Sequence, residues 1–165
     1  MALESPGTVR RSIVGFHRDE DGDWVAELSC LHSQHLRHRP PFQERAWVLD
    51  DSERAARVGS ESHCPLCDRA EMPGGLVLAR TAGPFDADTV PAGLRTWHQV
   101  AESTWGCLCV LEGSVGITME VDPPLDARLE AGARQPIPPG VRHLVTVDGP
   151  VRFAVEFYVV GPDRP

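Results

Sequence analysis

The chain carries Cys30-Leu31-His32-Ser33-Gln34-His35-Leu36-Arg37-His38-Arg39-Pro40-Pro41 and, after a long gap, Cys64-Pro65-Leu66-Cys67. Two cysteines separated by two residues let one tight turn present both sulfurs to a single ion, and Cys30-x-His32 supplies a second short pair. Zinc prefers thiolate and imidazole, and a structural site closes with four such groups in a tetrahedron. Ligand pairs far apart in sequence are the layout of a zinc ribbon. The first half is therefore expected to be a small zinc-ribbon-like domain with Cys30, His32, Cys64 and Cys67 on one zinc ion. A domain of this size has little core, and a metal supplies stability it otherwise lacks. His32, His35 and His38 recur every third residue, which would align them on a helix but not on a strand. His32 is preferred for its closeness to Cys30, and His35 is the alternative. His38 and His63 are assigned exposed or supporting places, where an imidazole N–H can orient a ligand. A redox role for Cys-Pro-Leu-Cys would need a βαβ setting, which the pattern lacks.

Working outward, the 165 residues hold 16 basic residues, every one an arginine, against 24 acids, for a net charge of −8. So acidic a chain is a poor match to DNA phosphates, and no apolar run approaches the ~20 residues of a membrane span. Neither nucleic acid nor membrane is expected as a partner. The five cysteines are an odd number, and the N-terminal stretch has no apolar signal-peptide run. A reducing, cytoplasmic setting is expected rather than a disulfide scaffold. Cys107 and Cys109, at strand spacing in an apolar run, read as small buried hydrophobes.

Five of the seven histidines and three of the five cysteines precede residue 70, and Met72-Pro73-Gly74-Gly75 reads as a linker. The expected domains are residues 1–73 and 74–165. Charge does not mark the boundary: nine arginines oppose thirteen acids before residue 74, and seven oppose eleven after it, −4 in each half. In the first half, runs at 12–16 and 24–28 flank the acidic turn Asp19-Glu-Asp-Gly-Asp23, predicting a hairpin. That turn lacks the terminal glutamate of a calcium loop and reads as a solvated turn. Residues 50–58 read as a short helix. The second half, rich in Gly and Pro, reads as strands at 75–80, 94–100, 106–111, 114–121, 127–129, 135–137, 143–147 and 151–159. Glu112-Gly113 is one of the expected turns. Short strands at near-regular spacing predict a sandwich or small antiparallel barrel.

The run from Ile13 to Trp24, the Cys30–Pro41 motif, Trp47-Val48 and Cys64–Cys67 resemble a small bacterial domain family of unknown function. That family carries Cys-Gly-His-x-Gln-His-x-Arg-His-x-Pro-Pro and a later Cys-Pro-x-Cys. The match covers roughly residues 10 to 70, with Leu31 where the family has glycine. It supports the ligand types and supplies no activity.

In the second half, Pro138-Pro-Gly140-Val-Arg-His143 is similar to the second metal-binding motif of cupins, Pro-x-Gly-x2-His. His98 and Val110-Leu-Glu-Gly113 fit parts of the first motif, with Val100 in the second histidine's place and Trp105 near the usual glutamate. Two of the four usual ligands are thus replaced; Glu102 and Glu156 are candidate substitutes. The segment from about 76 to 160 also resembles the cupin-like domain of TehB-type tellurite-resistance proteins, through Phe85-Asp86, Pro91-x-Gly-Leu94, His98, Thr104-Trp105-Gly106, Val110–Gly113, His143 and Val151–Tyr158. The methyltransferase that accompanies this domain in some relatives is absent from the sequence, so methyl transfer is not expected.

Together these readings predict a mainly β protein, a zinc-ribbon-like domain followed by a cupin-like antiparallel β-barrel. The barrel would bind a small molecule or oxyanion, with or without a divalent metal, near His98 and His143, with Trp105 and Glu156 at the pocket. The resemblance implies a role in tellurite or metalloid stress. A metal-dependent cupin enzyme, an oxygenase or isomerase using His98, His143 and a carboxylate around iron, nickel or manganese, is the alternative. A regulatory module whose ribbon contacts a partner protein is a third reading, and homodimerisation is left open.

Overall fold

The hairpin predicted around the acidic turn is formed in the computed structural model, which describes residues 9–162. β1 (Arg10–Arg18) and β2 (Trp24–Leu28) pair antiparallel, with Phe16 opposite Ala26 and Arg18 opposite Trp24. The turn closes on Asp19, whose Oδ1 accepts the N–H groups of Asp21 and Asp23, both at 2.9 Å. β3 (Ser33–Leu36) joins the free side of β2, and β4 (Glu61–His63) joins β1, giving the order β3-β2-β1-β4. Helix α1 (Asp51–Arg57) matches the expected short helix. Its N-terminal N–H groups at Ser52 and Glu53 are capped by the Asp50 carboxylate at 2.8 and 3.0 Å. Val25, Ala26, Leu28, Leu36 and Val48 are buried in this unit. Its tryptophans carry cations: the Arg54 guanidinium lies 3.6 Å from the Trp24 ring centre, and Arg57 lies 4.0 Å from that of Trp47.

β2 and β4 both run antiparallel to β1, so they run parallel to each other on its two sides. Leu28 lies opposite Ile13, and His63 lies opposite Arg10. The chain therefore leaves both strands at the same end of the sheet, toward Cys30 in one case and Cys64 in the other. Strand topology, not sequence proximity, brings the two ligand segments together.

Contacts divide the chain into two compact units, Arg10–Cys64 and the chain from Pro65 onward with Val9. The second unit contains α2 (Pro65–Asp68), β5 (Leu76–Asp86), β6 (Trp105–Met119), β7 (Leu125–Glu130), β8 (Arg134–Ile137), β9 (His143–Thr146) and β10 (Val151–Val160). Every strand pairing is antiparallel. The 15-residue β6 organises the unit. Its first half lies between β10 and β8, its second half between β7 and β9, and β5 flanks β10. One strand shared by two sets of neighbours makes a curled sheet, as expected for the second half.

Two local expectations fail here. Glu112-Gly113 is not a turn but part of β6, where Gly113 takes φ +73 and still pairs with Val151. A Cβ there would meet the Pro150 carbonyl oxygen at 2.1 Å, so glycine serves close backbone approach and not chain reversal. Residues 94–100 do not form a strand. Pro91 starts a 3-10 turn over Ala92–Arg95, because its fixed φ suits a turn, and only His98 then pairs, in a single bridge with His143.

Candidate functional site

Four side chains converge in the buried cluster Cys30, His32, Cys64 and Cys67. Their ligand atoms all lie within 4.8 Å of one another. The Cys30 and Cys64 sulfurs are 3.8 Å apart, and His32 Nδ1 stands 3.3 Å from the first and 3.4 Å from the second. A tetrahedron with zinc–sulfur bonds of ~2.3 Å and zinc–nitrogen bonds of ~2.0 Å has edges of about 3.5–3.8 Å. The spacing of the Cys30, Cys64 and His32 donors thus fits three corners of a four-coordinate site, and the Cys67 sulfur, within 4.8 Å of each, is the fourth donor. Among the described residues this is the one group of three or more Cys, His, Asp or Glu so arranged. Burial pushes the His32 imidazole down, but hydrogen bonds and charge from the Cys30 and Cys64 sulfurs outweigh it and raise it to about 9. A cation in the cluster replaces that proton, so metal binding would release protons and strengthen as pH rises.

The turn from Leu28 to His32 sets this geometry, with Leu31 N–H bonded to the Leu28 carbonyl and Leu28 N–H to the His32 carbonyl. Leu31 takes φ +76, the left-handed region that glycine enters without steric cost. That conformation accounts for glycine in the motif the sequence otherwise resembles.

The remaining residues of the motif hold the frame. Gln34 on β3 donates to the His63 carbonyl at 3.2 Å and accepts from the Ser62 hydroxyl at 2.9 Å. It clips the segment following His32 to the strand that delivers Cys64, a role the sequence reading missed. His35 points outward and meets Asp19 at 3.3 Å, while Asp23 takes Arg37 at 3.6 Å and Arg39 at 2.9 Å. The acidic turn is therefore an ion-pair hub for the motif. His38 Nδ1 accepts the Arg45 N–H at 2.8 Å, and neither His35, His38 nor His63 joins the ligand cluster.

The second unit holds a partly open cavity of about 470 Å³ whose walls include His98 and His143 among mostly apolar residues such as Phe85, Leu108, Val145 and Phe157. The two imidazole rings stand 4.1 Å apart between centres, brought together by backbone pairing in both directions between the two residues. Each Nδ1 faces a carbonyl oxygen, Thr96 at 2.8 Å for His98 and Val141 at 2.9 Å for His143. A carbonyl only accepts, so each Nδ1 carries a proton, and in the neutral form of either ring Nε2 is the atom with the lone pair. Histidine ligands of metals are oriented in this way. Burial holds the His143 imidazole at about 4, with the neighbouring His98 charge acting in the same direction.

Two family models match the chain. Residues 14–71 match the family described as a protein of unknown function, DUF3565, and residues 80–155 match the TehB-like domain. The two resemblances read from the sequence are borne out. No curated protein matches. Among solved structures, a protein from E. coli strain K12 is 22% identical over 55% of this chain and 97% of its own, with a TM-score of 0.49. TehB from Haemophilus influenzae is 17% identical over 53% of this chain and 32% of its own, with a TM-score of 0.47. A cupin-2 domain containing protein from Shewanella frigidimarina is 24% identical over 37% of this chain and 56% of its own, with a TM-score of 0.33. The chain thus spans about a third of the Haemophilus TehB.

In the second unit, Trp105 and Glu156 stand away from the cavity, whose walls include neither. Side chains alternate along strands. Leu108 on β6 and its partner Val155 on β10 face the cavity, so Trp105, Cys107, Cys109 and Glu156 belong to the opposite face. Trp105 is fully buried. Glu156 pairs with Arg134 at 2.7 Å. Glu102 is exposed and does not wall the cavity either. No carboxylate joins His98 and His143 in a three-ligand group among the described residues.

Proposed function

We propose that this is a metal-binding protein of two parts. A structural zinc ion on Cys30, His32, Cys64 and Cys67 fixes the DUF3565 unit, and the TehB-like unit binds a small, largely apolar molecule beside His98 and His143. The observation that carries the reading is the convergence of four buried donors from two distant segments, three of them at tetrahedral spacing. The cavity volume lies within the range of small-molecule sites, and its apolar walls with a few polar groups suit an organic ligand whose own donor group meets an imidazole Nε2. A role in metalloid stress and a cytoplasmic setting belong to this reading; the resemblance to tellurite-resistance proteins supports the first and the odd number of cysteines the second. Among the described residues no helix is long and apolar enough to cross a membrane.

A second reading, a metal-dependent enzyme, is favoured by one observation: both cavity histidines present Nε2 lone pairs with Nδ1 fixed by a carbonyl. Elemental analysis of the full chain separates the two. The leading reading expects one zinc per chain, lost when Cys64→Ser and Cys67→Ser are combined. A second equivalent of iron, nickel or manganese that disappears in His98→Ala and His143→Ala would favour the enzyme.

A further inference from the structure

Cys107 and Cys109 occupy alternate positions of β6, so both point to the face away from the cavity. Their sulfurs lie 3.9 Å apart. Both are buried, as the sequence predicts for small hydrophobes, yet their neighbours are polar. The Cys109 thiol donates to Glu156 Oε1 at 2.8 Å, and Arg134 binds the same oxygen at 2.7 Å. Tyr158 donates to the other carboxylate oxygen at 2.7 Å and accepts from Arg134 at 3.0 Å. The Arg134 side chain is 54% exposed, so this polar set lies between the sulfurs and solvent.

We propose that Cys107 and Cys109 form a dithiol site that captures trivalent organic arsenoxides, with Arg134, Glu156 and Tyr158 as its polar cover. Two bonds of ~2.3 Å, the length of a metal–thiolate bond, bridge sulfurs about 3.4 Å apart at the pyramidal angle of trivalent arsenic, so side-chain rotation has to close the 3.9 Å gap by about half an ångström. A tetrahedral divalent ion would need two further ligands, and among the described residues these cysteines belong to no group of three. Trivalent arsenic needs only the two sulfurs, since carbon and a lone pair complete its shell.

The protonation state separates this chemistry from redox switching. Burial pushes both thiols up, and the Glu156 carboxylate beside Cys109 adds to the effect. The hydrogen bond from Cys109, with those from Tyr158 and Arg134, holds Glu156 ionised, at about 2. Oxidation proceeds through thiolate, which this environment disfavours. Condensation with an arsenoxide accepts neutral thiols. Two S–H bonds and the arsenic–oxygen double bond break, two arsenic–sulfur bonds form, and the oxygen leaves with both protons as one water. Arsenic stays trivalent and no electron is transferred. Glu156 accepts the Cys109 S–H hydrogen bond and so fixes the direction of that thiol, while the thiol protons go directly to the departing oxygen.

The proposal uses neither the N-terminal cluster nor the cavity, and it stands apart from the reading of both. Its test is titration of the full-length, zinc-supplemented protein with phenylarsine oxide, followed by intact mass, peptide mapping and zinc analysis. The expected result is one bridged arsenic on the peptide carrying Cys107 and Cys109, resistant to glutathione and removed by a dithiol. Cys107→Ser and Cys109→Ser should each weaken binding by about 100-fold or more, because the second sulfur no longer adds intramolecularly. Mapping the wild-type adduct needs no variant to fold. Arsenic found only on the Cys30, Cys64 and Cys67 peptides, or an undiminished adduct in the double serine variant, would overturn the proposal.

Discussion

The sulfurs of Cys30 and Cys64 lie 3.8 Å apart although 34 positions separate them in the chain. His32 Nδ1 sits against both, whereas His35, three residues on, faces outward to Asp19. His32 precedes β3, in the turn that also carries Cys30, whereas His35 lies on β3 and is exposed, so the three-residue period puts the two in different surroundings.

Ligand choice among the three histidines follows from that. His32→Ala should cost the protein its zinc at neutral pH or weaken retention by orders of magnitude. His35→Ala and His38→Ala should keep one zinc per chain. Competition with a chromophoric chelator reads all three. Retention in His32→Ala with loss in His35→Ala would assign the ligand to the wrong histidine here.

Leu31 offers a gain in stability. A non-glycine residue at φ +76 carries a left-handed penalty of about 1–2 kcal/mol. Leu31→Gly should raise the stability of the zinc-loaded protein by about 1 kcal/mol, after the larger unfolded-state entropy of glycine is subtracted. Denaturant unfolding at fixed zinc concentration measures it. A destabilised glycine variant would mean that the leucine side chain contributes more by packing than the turn loses.

Gln34 joins the two ligand segments without touching the ion. Gln34→Ala removes hydrogen bonds to His63 and Ser62 and should destabilise the protein by about 1–2 kcal/mol. Zinc should dissociate faster from the variant, with its stoichiometry unchanged. An unaltered dissociation rate would show that the clip does not position the ligands.

The fold class and the donor set were legible because each rests on local pattern. Alternating apolar runs and turn residues announced strands, and Cys-x2-Cys with Cys-x-His announced soft ligands. What stayed hidden depends on register. Gln34 gains its role only because β3 and β4 are placed by their pairing with β2 and β1. Glu156 looked available to the cavity, yet its pairing with Cys107 turns it to the opposite face. Gly113 resembled a turn residue because a turn and a close backbone approach both demand glycine.

A pH dependence follows from His143. Its imidazole is held at about 4 in the folded protein against an ordinary 6.5, chiefly by burial. Between those values the unfolded chain binds a proton that the folded chain does not, so stability falls as pH drops from 6.5 toward 4. The loss should reach about 3 kcal/mol at the low end. It should be much reduced in His143→Gln, measured by urea unfolding across that range. Equal acid sensitivity in both proteins would place the titration elsewhere.

The zinc centre itself is tested most directly by X-ray absorption at the zinc edge on the full-length protein. The account predicts one zinc per chain with a first shell of three sulfurs at ~2.3 Å and one imidazole nitrogen at ~2.0 Å. A first shell of oxygen and nitrogen alone, or metal-replete protein that holds no zinc, would contradict it.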